Sequence, residues 1–360
     1  MHITEFQAIN YRSMEMAALT FSPGVNLLWG DNAQGKTNLL EALYTFARGK
    51  SFRGAKDDEL CRFGTRGYAL SLSCQTAARR VTLAYRYEDG RRERLLGGAP
   101  VARLAEMIGH FRAVLFYPDH LQLVKGGPGE RRLFLNIAIS QLDPLYLTAL
   151  SRYEKLLANR NILLRQAQKG ATLDRDLLYA YSEGMAREGE RIFRTRAEYI
   201  AHLSEEAGVL LSALSGEREK LALDYVSDVG GDGGFEDHLR RLTHAVEREV
   251  GAGCTLFGVQ RDEMRILING HEARTYASQG QARSVVLALK LGEGEAARRQ
   301  SGEYPVFLFD DVLSELDEGR RAFILRGAGE RQMIMTSCER RGFEGVAARE
   351  IHVRDGNYEA

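Results

Sequence analysis

An excess of charge of either sign is the first thing missing from this sequence. Lys+Arg 49 offset Asp+Glu 49, so composition alone does not mark a nucleic-acid binder, and local basic clusters would have to carry any such role. Cysteine is sparse. Cys61, Cys74, Cys254 and Cys338 stand apart with no C-x-x-C spacing, which argues against a zinc site or a disulfide framework and leaves small buried or half-buried residues. No run of about eighteen apolar residues occurs, and no basic-then-apolar leader opens the chain. The expectation is a soluble, cytoplasmic protein without a membrane partner. Internal repeats and extended low-complexity tracts are missing too. What remains is 360 residues, a length for two or three domains, of which 44% are hydrophobic, ample for real cores.

One stretch organises the rest. Gly30-Asp31-Asn32-Ala33-Gln34-Gly35-Lys36-Thr37 satisfies G-x-x-x-x-G-K-[ST] in full. An apolar run, Val25 to Trp29, leads in as a strand, and Asn38 to Tyr44 leads out with helical spacing. The two glycines let backbone wrap closely around phosphate, so that N–H groups and a helix N-terminus point at the anion. Lys36 is then expected at the β- and γ-phosphates, with the Thr37 hydroxyl on Mg²⁺. A nucleoside triphosphate is the implied ligand.

Around this stretch the chain reads as a core that is left and regained. Ile3–Ile9 and Glu15–Phe21 read as strands joined by Asn10-Tyr11-Arg12-Ser13, and three more β-runs follow at Tyr68–Gln75, Arg80–Tyr87 and Arg91–Leu96. Asp89-Gly90 predicts a hairpin between the last two. Ala113–Tyr117 is a buried strand stopped by Pro118. A mostly helical region then runs to about Gly251. Its longest helix begins near Asp174, with Leu178, Tyr181, Met185, Ile192, Tyr199, Leu203, Leu210 and Leu214 on one seam. Forty such residues would span about 60 Å. Gly184 and Gly189 suggest a bend, and Gly230–Gly234 a flexible loop tip. Met264–Ile268 and Ala273–Tyr276 flank Asn269-Gly270 as a second predicted hairpin. The boundaries implied are a discontinuous head of residues 1–118 and 256–360, and a helical lobe of residues 119–255.

The second half of a site lies near the C-terminal end. Val306-Phe307-Leu308-Phe309 before Asp310-Asp311 describes a central parallel strand presenting carboxylates at its C-terminal edge, where ligands sit in open α/β sheets. Asp310 is placed to hold Mg²⁺, and Asp311 to orient or deprotonate the attacking water, with Glu315 a second candidate base. Ser278-Gln279-Gly280-Gln281 precedes a helix and reads either as a simple cap or as an ABC-type signature closing over the γ-phosphate held by a second subunit. Its position shortly before the acidic strand favours the signature. Ser314-Glu315-Leu316-Asp317 lies where a D-loop belongs. Gln332–Met335 is a further strand ending at Thr336-Ser337, the place of a switch histidine that this chain lacks.

In combination these motifs are specific. Asn10-Tyr11-Arg12, the Gly30–Thr37 loop, Ser51-Phe52-Arg53, Pro128 with Arg131-Arg132, Ser278–Gln281 and Asp310-Asp311 with Ser314–Asp317 resemble the RecF family of ABC-type DNA-repair ATPases, related to the structural-maintenance-of-chromosomes group. The resemblance covers essentially the whole chain. It implies an α/β ABC-type ATPase head with an antiparallel β patch and an inserted, mainly helical lobe. It further implies an ATP-dependent homodimer with slow, DNA-stimulated hydrolysis that binds single-strand/double-strand junctions or gaps and works with RecO and RecR to load the recombinase RecA. By the same resemblance Arg12 contacts the nucleotide phosphates and Asn38 supports the P-loop helix. Two departures stand out. A Gly-Pro-His-Arg-Asp-Asp-like run reads here Gly258-Val259-Gln260-Arg261-Asp262-Glu263, and the usual aspartate past Arg131-Arg132 is Asn136.

An ABC transporter subunit would share the P-loop but should carry Leu-Ser-Gly-Gly-Gln and a switch histidine. A long-armed chromosome-organising ATPase would need hundreds of heptad residues. A non-hydrolysing ATP-binding scaffold would share every nucleotide motif. DNA contacts are the least legible feature: Arg187, Arg191 and Arg194 share one helix face, and Arg152, Lys155 and Arg165 lie on an earlier helix, stripes that solvated faces also produce.

Overall fold

The computed structural model describes residues 1–313, 316–340 and 348–359. The chain forms two compact units, Met1–His120 with Val286–Ala360, and Leu121–Val285.

In the first unit, β1 (His2–Tyr11) and β2 (Met14–Thr20) lead to β3 (Val25–Trp29) and α1 (Lys36–Arg48). The short α2 (Asp57–Leu60) precedes β4 (Gly67–Gln75), β5 (Arg80–Glu88), β6 (Arg91–Leu96), β7 (Ala99–Pro100) and β8 (Ala113–Phe116). The second unit carries α3 (Gln122–Lys125), α4 (Pro128–Leu142), α5 (Pro144–Gln168), α6 (Arg175–Ser215) and β9 (Leu221–Val226). It continues through α7 (Phe235–His244), α8 (Val246–Ala252), β10 (Glu263–Ile268), β11 (His271–Glu272) and α9 (Ala273–Tyr276). Through α10 (Gln279–Ser301) the chain re-enters the first unit, adding β12 (Val306–Phe309), α11 (Glu318–Arg326), β13 (Met333–Ser337), β14 (Ala348–Arg354) and β15 (Asn357–Glu359).

Two sheets of different chemistry build the first unit. One runs β2-β1-β4-β5-β6-β7 and is antiparallel throughout. Its strands alternate: Phe6, Ala8 and Tyr11 of β1 are buried while Gln7 is exposed, as one covered face requires. The β5–β6 turn places Asp89 at φ 45° and Gly90 at φ 82°, the paired left-handed conformation that an Asp-Gly hairpin selects. The other sheet runs β15-β14-β3-β13-β12-β8 and is parallel except for β15. β12 and β8 are unbroken apolar runs buried along their whole length, as a parallel sheet covered on both faces requires. Phe116 of β8 stacks on Phe309 of β12 at 4.3 Å between centroids. The parallel register brings the C-terminal ends of β3, β12 and β13 together, and the site lies there.

The second unit is organised on α6, 41 residues long and capped by Asp174, whose carboxylate accepts from the Leu177 amide at 2.9 Å. The seam predicted from leucines holds at Leu178, Met185, Ile192, Tyr199 and Leu203, but its last turns bury Ala207, Leu211 and Ser215 instead of Leu210 and Leu214. The two glycines of the helix also have a packing role. A Cβ at Gly189 would lie 3.0 Å from Nδ1 of His238, and one at Gly184 3.0 Å from Leu156, so these positions admit neighbouring side chains against the helix. Three arginines, Arg131, Arg160 and Arg196, are buried in this unit. Arg160 donates to Ser182, Thr255 and the Leu242 carbonyl and pairs with Glu249 at 2.7 Å, both partners fully buried. Arg196 donates to Tyr146 Oη, Asn136 Oδ1 and the Val259 carbonyl.

Two further expectations are corrected here. Leu221–Val226 is a strand, β9, paired antiparallel with β10 inside the region read as mostly helical. Ala273–Tyr276 is the helical turn α9, and the return arm of the Asn269-Gly270 hairpin is only β11. In the Gly230–Gly234 loop, Asp232 Oδ1 accepts from the Gly234 amide at 2.9 Å, and Asp237 accepts from the Asp232 amide at 3.1 Å.

Candidate functional site

The Gly30–Thr37 loop joins β3 to α1 and is gripped from behind. Gly30 has φ 150°, and a Cβ there would lie 2.3 Å from the Val353 carbonyl oxygen of β14. Gly35, at φ 111°, would bring a Cβ to 2.8 Å from Ser13 Oγ. Past β14 the chain turns and bonds the loop directly. The Gly356 amide donates to the Gln34 carbonyl at 3.0 Å, Asp355 N–H to Gln34 Oε1 at 2.5 Å, and Tyr358 Oη–H to the Gly35 carbonyl at 2.9 Å. Gly35 also caps α1 without offering a side chain, which leaves the first amides of that helix for an anion. Lys36, nearly buried, donates Nζ–H to the carbonyls of Gly30 at 2.5 Å and Asp31 at 2.7 Å. Its ammonium is thus held inside the loop it serves. Asn32 Oδ1 accepts from Cys338 Sγ–H at 2.9 Å, a thiol standing just beyond Ser337 at the end of β13.

Opposite the loop, the Thr37 hydroxyl donates to Asp310 Oδ1 at 2.8 Å and the Thr336 hydroxyl donates to the same oxygen at 3.1 Å. Thr336 Oγ1 accepts in turn from the Asp311 amide at 2.8 Å, and Asp311 takes a left-handed φ of 53°. Burial raises the Asp310 carboxyl above its ordinary range, the two hydroxyls opposing it and the neighbouring Asp311 charge adding to it. A buried carboxylate beside a threonine hydroxyl is a hard oxygen pair that suits Mg²⁺. Among the described residues no group of three or more His, Cys, Asp or Glu could hold a metal alone, so phosphate and water oxygens would complete the shell, as is usual for Mg²⁺.

A second network, unread in the sequence, orders Arg12. Glu41 of α1 is wholly buried and accepts from Arg12 Nε at 2.9 Å, Arg12 Nη2 at 3.0 Å and Ser51 Oγ at 2.5 Å. Arg53 lies 3.8 Å from the same carboxylate and donates to Asn38 Oδ1 at 3.2 Å, while Asn38 donates to Ser13 Oγ at 3.0 Å. Arg12 itself adopts φ 53°. Left-handed non-glycine residues are uncommon, and Arg12, Ala33 at φ 64° and Asp311 belong to the motifs singled out above. The available signal for Glu41 was a carboxylate inside the apolar run of the P-loop helix.

The remaining candidates are placed as follows. Ser278 and Gln281 satisfy each other, Ser278 N–H donating to Gln281 Oε1 at 2.9 Å and Gln281 N–H to Ser278 Oγ at 3.2 Å, a reciprocal cap at the start of α10. Gln279 and Gly280 are exposed in its first turn. Asp317 caps α11 by accepting from the Arg320 amide at 2.9 Å, which holds its carboxyl below the ordinary range. Ser314 and Glu315 lie outside the described residues. The departures noted above are structural in this chain: Glu263 forms a fork with Arg131 (2.6 and 2.7 Å), the Asp262 carbonyl accepts from Arg132, and Asn136 joins Arg196 to Tyr146. On the basic stripes, Arg187 pairs with Glu183, Arg194 with Glu190 and Arg152 with Glu188.

Comparison with known proteins decides the family. The DNA replication and repair protein RecF of Limosilactobacillus fermentum is 37% identical over 358 residues, covering 98% of this chain and 95% of the relative. That of Caldanaerobacter subterraneus subsp. tengcongensis is 35% identical over 361 residues, covering 98% of each. The chain belongs to the RecF family. A solved structure of the recombination mediator protein RecF-ATPrS in the RecFOR pathway superposes with a TM-score of 0.93 at 34% identity, covering 99% of this chain and 97% of that one. An Smc head domain from Pyrococcus furiosus follows at a TM-score of 0.57 and 16% identity and shares the fold. No family model matches. The fold of this RecF-family chain is an ABC-type ATPase head, an α/β core with an antiparallel β patch, plus an inserted, mainly helical region. Among the described residues no helix is long and apolar enough to cross a membrane.

Proposed function

We infer that this RecF-family chain is a cytoplasmic, ATP-operated DNA-binding protein of recombinational repair and replication restart. ATP binds the Gly30–Asn38 segment, joins two copies, and so favours retention on single-strand/double-strand junctions or gaps. Slow, DNA-stimulated hydrolysis releases it, and RecO and RecR act with it in loading the recombinase RecA. The observation that carries this reading is the bracket of Thr37, Asp310 and Thr336 beside a loop whose backbone is pinned by glycine close approaches.

Each side chain has a task in this scheme. Lys36 leaves its loop carbonyls for the β- and γ-phosphates, and Arg12, oriented by Glu41, adds positive charge at the phosphates. Thr37 and Asp310 hold Mg²⁺, which when bound neutralises phosphate charge. Asp311 accepts a proton from the attacking water, with Glu315 the second candidate. Ser278 and the Gly280 backbone close over the γ-phosphate of the opposite copy, Gln279 and Gln281 flank them, and Ser314 and Asp317 line the same seam. One chain carries both halves, so two copies related by two-fold symmetry complete two sites. ADP lacks the shared phosphate and does not hold the pair.

Sedimentation with ATP, ADP and no nucleotide tests this. Wild type should dimerise with ATP alone. Ser278→Arg should bind ATP as a monomer and fail to dimerise, whereas Ser278→Ala, which also loses the helix cap at a cost of about 1 kcal/mol, should still pair. A wild type that stays monomeric at saturating ATP, with and without DNA, refutes the composite site.

A further inference from the structure

In the second unit α7 and α8 meet at Ala245, and their corner gathers positive charge. Arg240, Arg241 and His244 of α7 and Arg248 of α8 line a cleft of about 200 Å³ with Val229 and Phe257. The guanidinium carbon of Arg241 lies 4.0 Å from the Phe257 ring centre, and that of Arg248 5.6 Å from the same ring. Two like charges therefore converge on one aromatic. The acid lining the cleft, Asp237, is taken by Arg240. Nearby acids are also engaged: Asp228 accepts from the Gly258 amide, Glu247 pairs with Arg175, and Glu249 with Arg160. Among the described residues neither Arg241 nor Arg248 has a carboxylate within ion-pair distance. Three guanidiniums against one carboxylate leave the cleft at +2 before His244 is counted (3 − 1 = 2).

Helix electrostatics account for only part of this. Cations suit the last turn of α7, which explains Arg241 and His244, but Arg248 lies in the first turn of α8, where the dipole favours acids. Its placement beside Arg241 is unfavourable unless an anion sits between them. The contrast with the stripes on α5 and α6 is direct, since there Arg152, Arg187 and Arg194 each have a glutamate partner.

We propose that this corner is a phosphate-binding site for the backbone of DNA. Contact with Phe257 holds the two guanidiniums at the cleft while leaving their N–H groups available for a phosphate contact. The cleft is below the roughly 300–1,000 Å³ of sites that enclose a drug-sized ligand, so it suits a phosphodiester and not a whole nucleotide. With its ring covered by arginines, Phe257 is not offered to a base, so the contact is indifferent to sequence. The proposal rests on the DNA-binding reading above and assigns it a surface.

The experiment compares wild type with Arg241→Gln/Arg248→Gln by fluorescence anisotropy on a gapped duplex across salt concentrations. Two lost phosphate contacts should lower the slope of log affinity against log salt by about 1.8, from ~0.9 per contact, and weaken binding ~10-fold or more on every sequence tested. ATP binding and the unfolding midpoint should not change. Arg175→Gln, an exposed partner of Glu247, should leave the slope intact. Modification of wild type by phenylglyoxal, read by mass spectrometry, supplies a test independent of variant folding, in which DNA should shield Arg241 and Arg248 but not Arg175. An unchanged slope in a folded double variant, or no shielding in wild type, overturns the site while DNA binding stands. If wild type binds no DNA at any salt, the functional reading fails and the proposal with it. A site that inorganic phosphate occupies equally well, without DNA shielding it, assigns the cleft to a free anion and likewise overturns the proposal.

Discussion

Glu41→Gln is the sharpest probe of the network beside the nucleotide loop. Glu41 is fully buried, and its two oxygens accept three hydrogen bonds, two from Arg12 and one from Ser51, with Arg53 at 3.8 Å. Glutamine keeps the volume but turns one oxygen into an NH₂ group, which must then face a guanidinium or a hydroxyl. At least one bond is lost, and a remaining bond from Arg12 keeps only the charge of its guanidinium. Hydrogen bonds to charged groups contribute about 1.5–3 kcal/mol and neutral ones about 0.5–1.5 kcal/mol. One lost bond plus two weakened ones come to about 4 kcal/mol, and partial exposure of Arg12, which can rehydrate, reduces this to about 3 kcal/mol. In a unit of about 195 residues (120 + 75), 1 kcal/mol moves the unfolding midpoint by roughly 2–4 °C. The expected fall is therefore about 6–12 °C by scanning calorimetry. ATP affinity, measured by calorimetric titration, should fall ~10-fold as Arg12 loses its orientation, the scale of one charge-assisted contact. Ser51→Ala, which loses the bond to Glu41 and those accepted from the Arg53 and Ala55 amides at 3.0 and 3.4 Å, should cost about half as much. A Glu41→Gln midpoint within about 1 °C of wild type, with unchanged ATP affinity, would show that Arg12 does not depend on this carboxylate.

Lys36→Ala should abolish tight ATP binding, while Lys36→Arg should bind but lose hydrolysis because a planar fork cannot replace a compact ammonium in that loop; unchanged turnover in both, by a coupled ATPase assay, sinks the P-loop role. Asp311→Asn should spare ATP binding and slow hydrolysis by ~10²-fold or more, whereas Asp310→Asn should weaken Mg²⁺-dependent binding itself; identical effects on binding would remove the division of roles. Burial pushes the His238 imidazole down to about 4, with Asp237 opposing. The folded value lies below the ordinary 6.5, so the unfolded chain binds the extra proton first, and stability is full above pH 6.5 and falls as pH drops toward 4. The loss is about 3 kcal/mol at about 1.36 kcal/mol per pH unit. Urea unfolding of wild type and His238→Gln from pH 7 to pH 4.5 should show a flatter profile in the variant, and parallel profiles contradict the assignment.

What was legible in the sequence was local. Asp174 marks the start of α6 because a cap is a contact over three residues, and Asp89-Gly90 marks a turn because left-handed backbone has few willing residues. The P-loop and the acidic strand were read for the same reason. What escaped is non-local. β9 reads as polar chain because only Leu221 and Leu223 face inward, and its partner lies some forty residues on. Ala273–Tyr276 passes for a strand by alternation until β10 has already found its partner in β9. The Arg12–Glu41–Ser51 network joins three segments, and no spacing rule links them. Arg187 and Arg194 share one helix face in projection, and the glutamate one turn from each shows only in the side-chain contacts.

The grip on the P-loop has a consequence for the order in which this protein can be made. The loop is complete once residue 37 has been synthesised, but the groups that hold it, Val353, Asp355, Gly356 and Tyr358, come more than 300 residues later. At about 5–20 residues per second, roughly 15–65 s separate the two on the ribosome. During that interval the continuous stretch Leu121–Val285 is made in full, while the head stays open with β3 lacking both of its neighbours, β13 and β14. A nascent chain therefore gains its nucleotide pocket only after Tyr358 has been added, and ATP present during synthesis can stabilise only molecules translated at least that far.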